Sequence, residues 1–207
     1  MFERNSAVMG QNCYSATGPQ PQSNSPEENA LIKKYILEVA AASGGVDPRF
    51  VLASIMQESQ GCVRAPTTRW AHANPGLMQT YMGTGSCNDP SVGGELVPCP
   101  EANIQLMIEE GVLGVDQGSG ARAGGIVQRL AEVGGEPTGQ NYYFAARHYN
   151  TGNVNQQDLN CPNAGTPCYA MDMANRLTGW VTGAHACDLP PIEQQTCGGG
   201  FIPPTRA

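Results

Sequence analysis

Charged side chains are scarce in this sequence. They make up 14% of its 207 residues, where soluble domains average about 25%. Those present lean acidic, with 18 Asp and Glu against 11 Lys and Arg and a net charge of −7. Nucleic-acid binding draws on a clustered excess of Lys and Arg that neutralises phosphates. A nucleic-acid partner is therefore not expected, whereas a neutral polysaccharide remains open. No apolar run approaches the roughly 20 residues that cross a bilayer, so no membrane partner is expected either. Histidines number only 3 and no Cys-x-x-Cys pair occurs, so metal-ligand spacing is missing and neither metal nor cofactor is implied.

What the sequence does have is cysteine, glycine and proline. Eight cysteines, 26 glycines and 16 prolines accompany a hydrophobic fraction of 40%, a globular composition with many turns and ordered loops. An even count of cysteines without metal spacing reads as disulfides formed in an oxidising compartment, with buried free thiols as the alternative. The expectation of a secreted, extracellular protein rests on those cysteines, because the opening MFERNSAVMGQNCYS holds no signal-peptide core. The short loops suggest Cys87 with Cys99 and Cys161 with Cys168. Monomer is the default state.

Along the chain, residues 1–24 read as an extended arm tied down by Cys13, residues 25–187 as one catalytic domain, and residues 188–207 as a Pro/Gly-rich tail held by Cys197. Ser25, Pro26 and Glu28 form a capping box that opens a helix carrying Leu31, Ile32, Tyr35, Ile36 and Val39 at helical spacing. Gly44 and Gly45 end it. Asp47-Pro48 starts a second helix through Phe50, Val51, Leu52, Ile55 and Met56, too apolar all round for a surface position. It arrives at Gln57-Glu58-Ser59 and breaks near Gly61. Residues 61–98 are irregular and hold any small β element. Further helices are expected from Pro100, over 121–133 despite Gly124 and Gly125, over 141–149, and over 167–180. The fold class is mainly α.

Four places carry candidate chemistry. Glu58 stands at the end of an apolar helix, where low dielectric disfavours its charged form and suits a general acid; a Glu frayed into water is the plainer alternative. Gly76-Leu77-Met78-Gln79 offers close backbone approach at Gly76, a soft surface at Met78, and a donor and acceptor at Gln79. Arg147-His148-Tyr149-Asn150-Thr151-Gly152 is a helix end at which Asn150 can hold an amide or hydroxyl, or merely cap the helix. Tyr169 begins the last helix, where an isolated Tyr is usually core. Trp70, Tyr81, Tyr142 and Tyr143 are candidates for stacking on sugar rings or for packing. His72 and His185 read as surface residues.

In order, Glu58-Ser59, the 76–79 string, Tyr149-Asn150-x-Gly152 and Tyr169 resemble the motif series of the lytic transglycosylase and goose-type lysozyme superfamily, glycoside hydrolase family 23. Pro100-Glu101-Ala102-Asn103-Ile104 is similar to the opening of that family's next helix, and the resemblance spans about residues 47–180. It implies a lysozyme-like α+β fold, two-lobed, with a sugar-binding cleft. Glu58 then corresponds to the catalytic acid/base. Gln79 corresponds to the glutamine near it, Met78 to a cleft-lining residue, Asn150 to a substrate contact and Tyr169 to the tyrosine beside the acid. Ser59, Gly76 and Tyr149 join the implied substrate-binding set. The sequence departs from the family at His148 and Thr151, which replace alanines around Tyr149-Asn150. The interval from Asn150 to Tyr169 is also shorter than in many members. Cys62, directly after the catalytic helix, is placed to fix the loop behind Glu58.

The implied substrate is peptidoglycan or a related N-acetylated β-1,4 polysaccharide, chitin included. An inverting hydrolase needs a second carboxylate to activate water. No Asp or Glu lies between Glu58 and Gln79, and the next acids are Asp89 and Glu95. With one carboxylate, attack by the substrate's own N-acetyl oxygen leads to a 1,6-anhydro product if the sugar's 6-hydroxyl is the acceptor, or to hydrolysis if water is. A carbohydrate-binding protein without turnover is an alternative. So is a cysteine hydrolase using His148 and Asn150, which requires a free thiol.

Overall fold

A computed structural model describes residues 1–11, 13, 19–69, 72–160, 165–182 and 187. Trp70, Cys161, His185 and Cys197 lie outside the described residues, as does the tail over 188–207. The chain divides into two compact units, Met1–Gln128 and Arg129–Ala207.

The first unit is built on three helices, α2 (Pro26–Ala42), α3 (Pro48–Ser59) and α4 (Glu101–Leu113). Local chemistry starts each of them. The Ser25 side chain accepts from Glu28 N while Glu28 reaches back to Ser25 N, closing the expected capping box. Asp47 caps α3 by accepting from Arg49 N, with Pro48 in the first turn. Pro100 precedes α4. α2 packs on α4 and on α3, burying Ile32, Ile36 and Val39 against a core that holds Ile104, Met107, Ile108 and Val112. All of residues 50–56 in α3 are buried, and the one hydroxyl among them, Ser54, is satisfied by Phe50 O at 3.0 Å. This is the helix whose sequence is apolar on every side.

Three two-residue antiparallel pairs accompany these helices. They are β1 (Thr68–Arg69) with β2 (Ala73–Asn74), β3 (Asn88–Asp89) with β4 (Gly94–Glu95), and β5 (Val115–Asp116) with β6 (Arg122–Ala123). The third pair corrects the expected helix over 121–133, because helix α5 covers only Ile126–Glu132. Gly124 turns the chain at φ 83°, and a Cβ on Gly125 would lie 2.3 Å from Gly114 N. The bare backbone at Gly125 lets two segments touch, and a helix starting at 121 would deny that contact.

The arm is also more structured than an extended strand. It opens with α1 (Phe2–Ser6) and is fastened to the end of α3. Cys13 is bonded to Cys62, Gly10 N donates to Gln60 O, and Asn24 bridges Gly61 O and Val63 N. Arg64, 1% exposed, is the deepest of these fastenings. Its guanidinium meets both Glu28 oxygens at 2.6 and 2.8 Å and donates to Gln22 O and Ser23 O.

The second unit centres on α6 (Gly139–Thr151) packed on α7 (Tyr169–Thr178), with Ala145, Ala146, Tyr169, Ala170 and Met173 buried. Three disulfides join described cysteines. Cys87 pairs with Cys99 as the short loop suggested, whereas Cys168 pairs with Cys187 rather than with Cys161. Cys168 caps the start of α7 at φ 57°, and its partner comes 19 residues later, past that helix in sequence. Among the described residues, no helix is long and apolar enough to cross a membrane.

Candidate active site

Glu58 occupies the last turn of α3, half-buried. The helix ends because Gln60 adopts the left-handed conformation at φ 53° and Gly61 follows at φ 74°. Met9 packs so closely over Gly61 that a Cβ there would lie 2.2 Å from Met9 Cγ. The arm and the Cys13–Cys62 bond thus fix the loop behind Glu58.

Ser59 joins this helix end to the glycine turn. Its hydroxyl donates to Leu77 O at 2.8 Å and is shared with Ile55 O at 3.1 Å. Residues 76–79 are therefore held against the end of α3 through a side chain next to Glu58. Gly76 stands at φ 71°, and a Cβ there would meet Met107 Sδ at 2.3 Å and Gly85 O at 2.7 Å. No other residue fits that turn over α4. Leu77 and Met78 are wholly buried. Met78 packs against Gly111, where a Cβ would fall 2.3 Å from its sulfur, so it supports the turn from the core beneath it.

Gln79 is half-buried and strained, at φ 45°. Its amide is oriented on both sides: Nε2 donates to Gly76 O at 2.9 Å and Oε1 accepts from Thr68 Oγ1 at 2.8 Å. Among the described residues, the non-glycine residues with positive φ are Gln60, Gln79, Met82 and Cys168. Gln79 closes the 76–79 turn, Met82 lies three residues beyond it, and Gln60 directly follows Glu58-Ser59. Such backbone strain concentrates where a site is held in shape by its surroundings. Glu110 provides part of that hold from α4, accepting from Thr84 N, Thr84 Oγ1 and Gly85 N.

The next acid downstream of Gln79, Asp89 of β3, is bonded to Thr67 and Arg69, on either side of Thr68. Thr67 Oγ1 donates to Asp89 Oδ2 at 3.2 Å, one residue before the Thr68 that holds Gln79. The Ser91 hydroxyl and amide hold its carboxyl below the usual carboxylate range, helped by Thr67 and Arg69. Both oxygens are occupied, Oδ1 by Ser91 and Arg69 and Oδ2 by Thr67 and Arg69.

The second unit gathers the other three expected residues. Asn150 Oδ1 accepts from Arg147 and from Thr166 N at 2.7 Å. The buried Arg147 also donates to Thr166 O and Leu159 O. Asn150 is thus a hub between α6 and the approach to α7. Tyr169 is 2% exposed, its ring 5.7 Å from the Arg147 guanidinium carbon. Tyr149 is half-buried. His148 closes its own helix end, with Nε2 2.8 Å from Gly152 O and Nδ1 3.2 Å from Glu132. Burial and the neighbouring Arg129 push its pKa down, against the opposing pull of Glu132 and Gly152.

The structure therefore collects Glu58, Ser59, Gly76, Met78 and Gln79 in the first unit, and Tyr149, Asn150 and Tyr169 in the second. Sequence reasoning missed Thr68, the orienting partner of Gln79, because nothing in the spacing of 11 residues signals it; only the pairing of β1 with β2 brings it round. The described cysteines are all disulfide-bonded, which leaves a cysteine nucleophile without a candidate among them. Comparison of this chain with protein-family models, curated proteins and solved structures finds no match.

Proposed function

We propose that this protein cleaves β-1,4 glycosidic bonds in peptidoglycan, with Glu58 as the general acid and base, in the manner of the lytic transglycosylases it resembles in sequence. One observation carries the reading. Ser59 ties the helix end bearing Glu58 to the turn bearing Gln79 through a 2.8 Å hydrogen bond to Leu77 O, so two motifs of the resemblance fall together.

In this reading Glu58 protonates the glycosidic oxygen as the bond to the anomeric carbon breaks. The N-acetyl oxygen of the same sugar attacks that carbon and holds the developing charge. Glu58, now ionised, takes the proton of the 6-hydroxyl as that oxygen attacks the anomeric carbon and displaces the N-acetyl oxygen, which closes the 1,6-anhydro ring, restores the N-acetyl group and returns Glu58 to its protonated form. Gln79, pinned by Thr68 and Gly76, is oriented to position the sugar without reorganising.

The state of Asp89 favours the anhydro route over hydrolysis. A carboxylate that activates water needs an open lone pair, and the Asp89 oxygens are engaged by Ser91, Thr67 and Arg69. Purified peptidoglycan incubated with the protein should release soluble fragments, and Glu58→Gln should release none. Solubilisation of chitin but not peptidoglycan would move the substrate to the other N-acetylated polymer.

A further inference from the structure

We propose that Tyr81, backed by His72 and flanked by Met82, is a stacking platform for one ring of the N-acetylated polysaccharide, beside Gln79. The proposal rests on the glycosidase reading and adds to it a binding subsite.

Tyr81 and Met82 are 46% and 45% exposed, adjacent large apolar side chains left in water. They are not a frayed loop. Met82 is held at φ 59°, its N–H donating to Ala73 O at 2.9 Å, and Gly83 N donates back to Thr80 O. The conformation costs strain in a residue with a Cβ, and it serves to turn Tyr81 and Met82 outward while Thr80 between Gln79 and Tyr81 stays buried. The His72 ring meets Tyr81 edge-on, with centroids 4.9 Å apart and planes at 69°. Because His72 is exposed as well, this aromatic pair is not core packing. Gly124 lies alongside, where a Cβ would fall 3.8 Å from Tyr81 Cβ, an ordinary contact distance.

The chemistry of the patch selects its occupant. From 70 to 88 the sequence holds no Asp, Glu, Lys or Arg, so nothing in the segment calls for an anion or a cation. It presents an aromatic face and a thioether. The imidazole nitrogens and phenol hydroxyl carry no hydrogen bond among the described residues. A sugar matches this combination, because its ring has an apolar face and its rim carries hydroxyls and the N-acetyl group. Tyr81 lies two residues beyond Gln79, so the ring it holds is a neighbour of the one Gln79 positions.

The test measures binding of Glu58→Gln protein to purified insoluble peptidoglycan, with and without Tyr81→Ala. Apparent KM for peptidoglycan solubilisation is measured in parallel in the otherwise wild-type background. Removing the ring should weaken binding about three- to ten-fold and raise KM by a similar factor with kcat held. Tyr81→Phe should keep most of the affinity, and the melting temperature of Tyr81→Ala should match its parent. Unchanged affinity and KM in Tyr81→Ala, with peptidoglycan still cleaved, would overturn the platform alone. Neither binding nor cleavage by any form would overturn the glycosidase reading and the platform with it.

Discussion

At Ser59 and Asn150 single side chains hold together pieces of backbone that the proposed chemistry needs in register. Ser59→Ala removes the donor to Leu77 O and leaves that carbonyl unpaired in a buried turn, a loss of about 1–3 kcal/mol. The turn bearing Gln79 loses its tie to the Glu58 helix at the same time. Peptidoglycan cleavage should therefore fall well beyond what the loss of folded protein explains, as rates normalised to folded fraction would reveal. A drop in stability with normalised rates unchanged would make Ser59 a packing residue only. Asn150 separates in a similar way. Asn150→Asp keeps an acceptor for Arg147 and Thr166 N, so thermal melting should change little, whereas Asn150→Ala removes the acceptor those two donors share and should lower the melting temperature clearly. Glu58 and Gln79 are singled out by short motifs, and what the structure adds is the Ser59 bond between the two segments that carry them. The exposure of Tyr81 was not legible, since stacking and packing aromatics share one spacing and only the strained turn at Met82 decides which way the ring faces.

Among the elements, those with local causes were legible. α2 and α3 begin where a cap, a proline and an apolar period coincide, and every one of those signals lies within a few residues of the helix it starts. α5 was read too long because Gly124 and Gly125 answer to a distant segment. Gly125→Ala would drive a Cβ to 2.3 Å from Gly114 N and should destabilise the first unit by about 1–3 kcal/mol, measured by chemical denaturation; wild-type stability would mean the β5–β6 stem yields freely. Glu28 shows both kinds of signal in one side chain. Its capping role was legible, but its pairing with Arg64 is separated by 36 residues. Breaking that pair with Arg64→Met leaves a buried carboxylate and should cost about 3–5 kcal/mol.

For the whole molecule, acid stability and disulfides set the limits. Burial raises the pKa of Glu28. Hydrogen bonds from Arg64 and from the Ser25 and Cys99 amides outweigh that and hold it below the ordinary carboxylate value. A carboxylate depressed in the folded state adds stability above its unfolded pKa, about 4.3, and that stability is lost as pH falls through the folded value. Unfolding in acid should therefore steepen below about pH 4 in the wild type and flatten in Glu28→Gln. Cys13–Cys62 closes a span of 49 residues and Cys87–Cys99 one of 12. On loop entropy, removing the first pair should cost about 4 kcal/mol against about 3 for the second. The disulfide pattern was only partly legible, because a short loop favours a neighbour until the fold offers Cys168 a better one.

The central claim is that Glu58 drives an intramolecular closure of the cleaved sugar. It is tested most directly by mass spectrometry of the soluble fragments released from purified peptidoglycan by wild-type and Glu58→Gln protein. The account predicts fragments ending in a 1,6-anhydro sugar from the wild type and none from the variant. Fragments with an ordinary reducing end would contradict the closure, and equal release by both proteins, or by neither, would contradict the role of Glu58 itself.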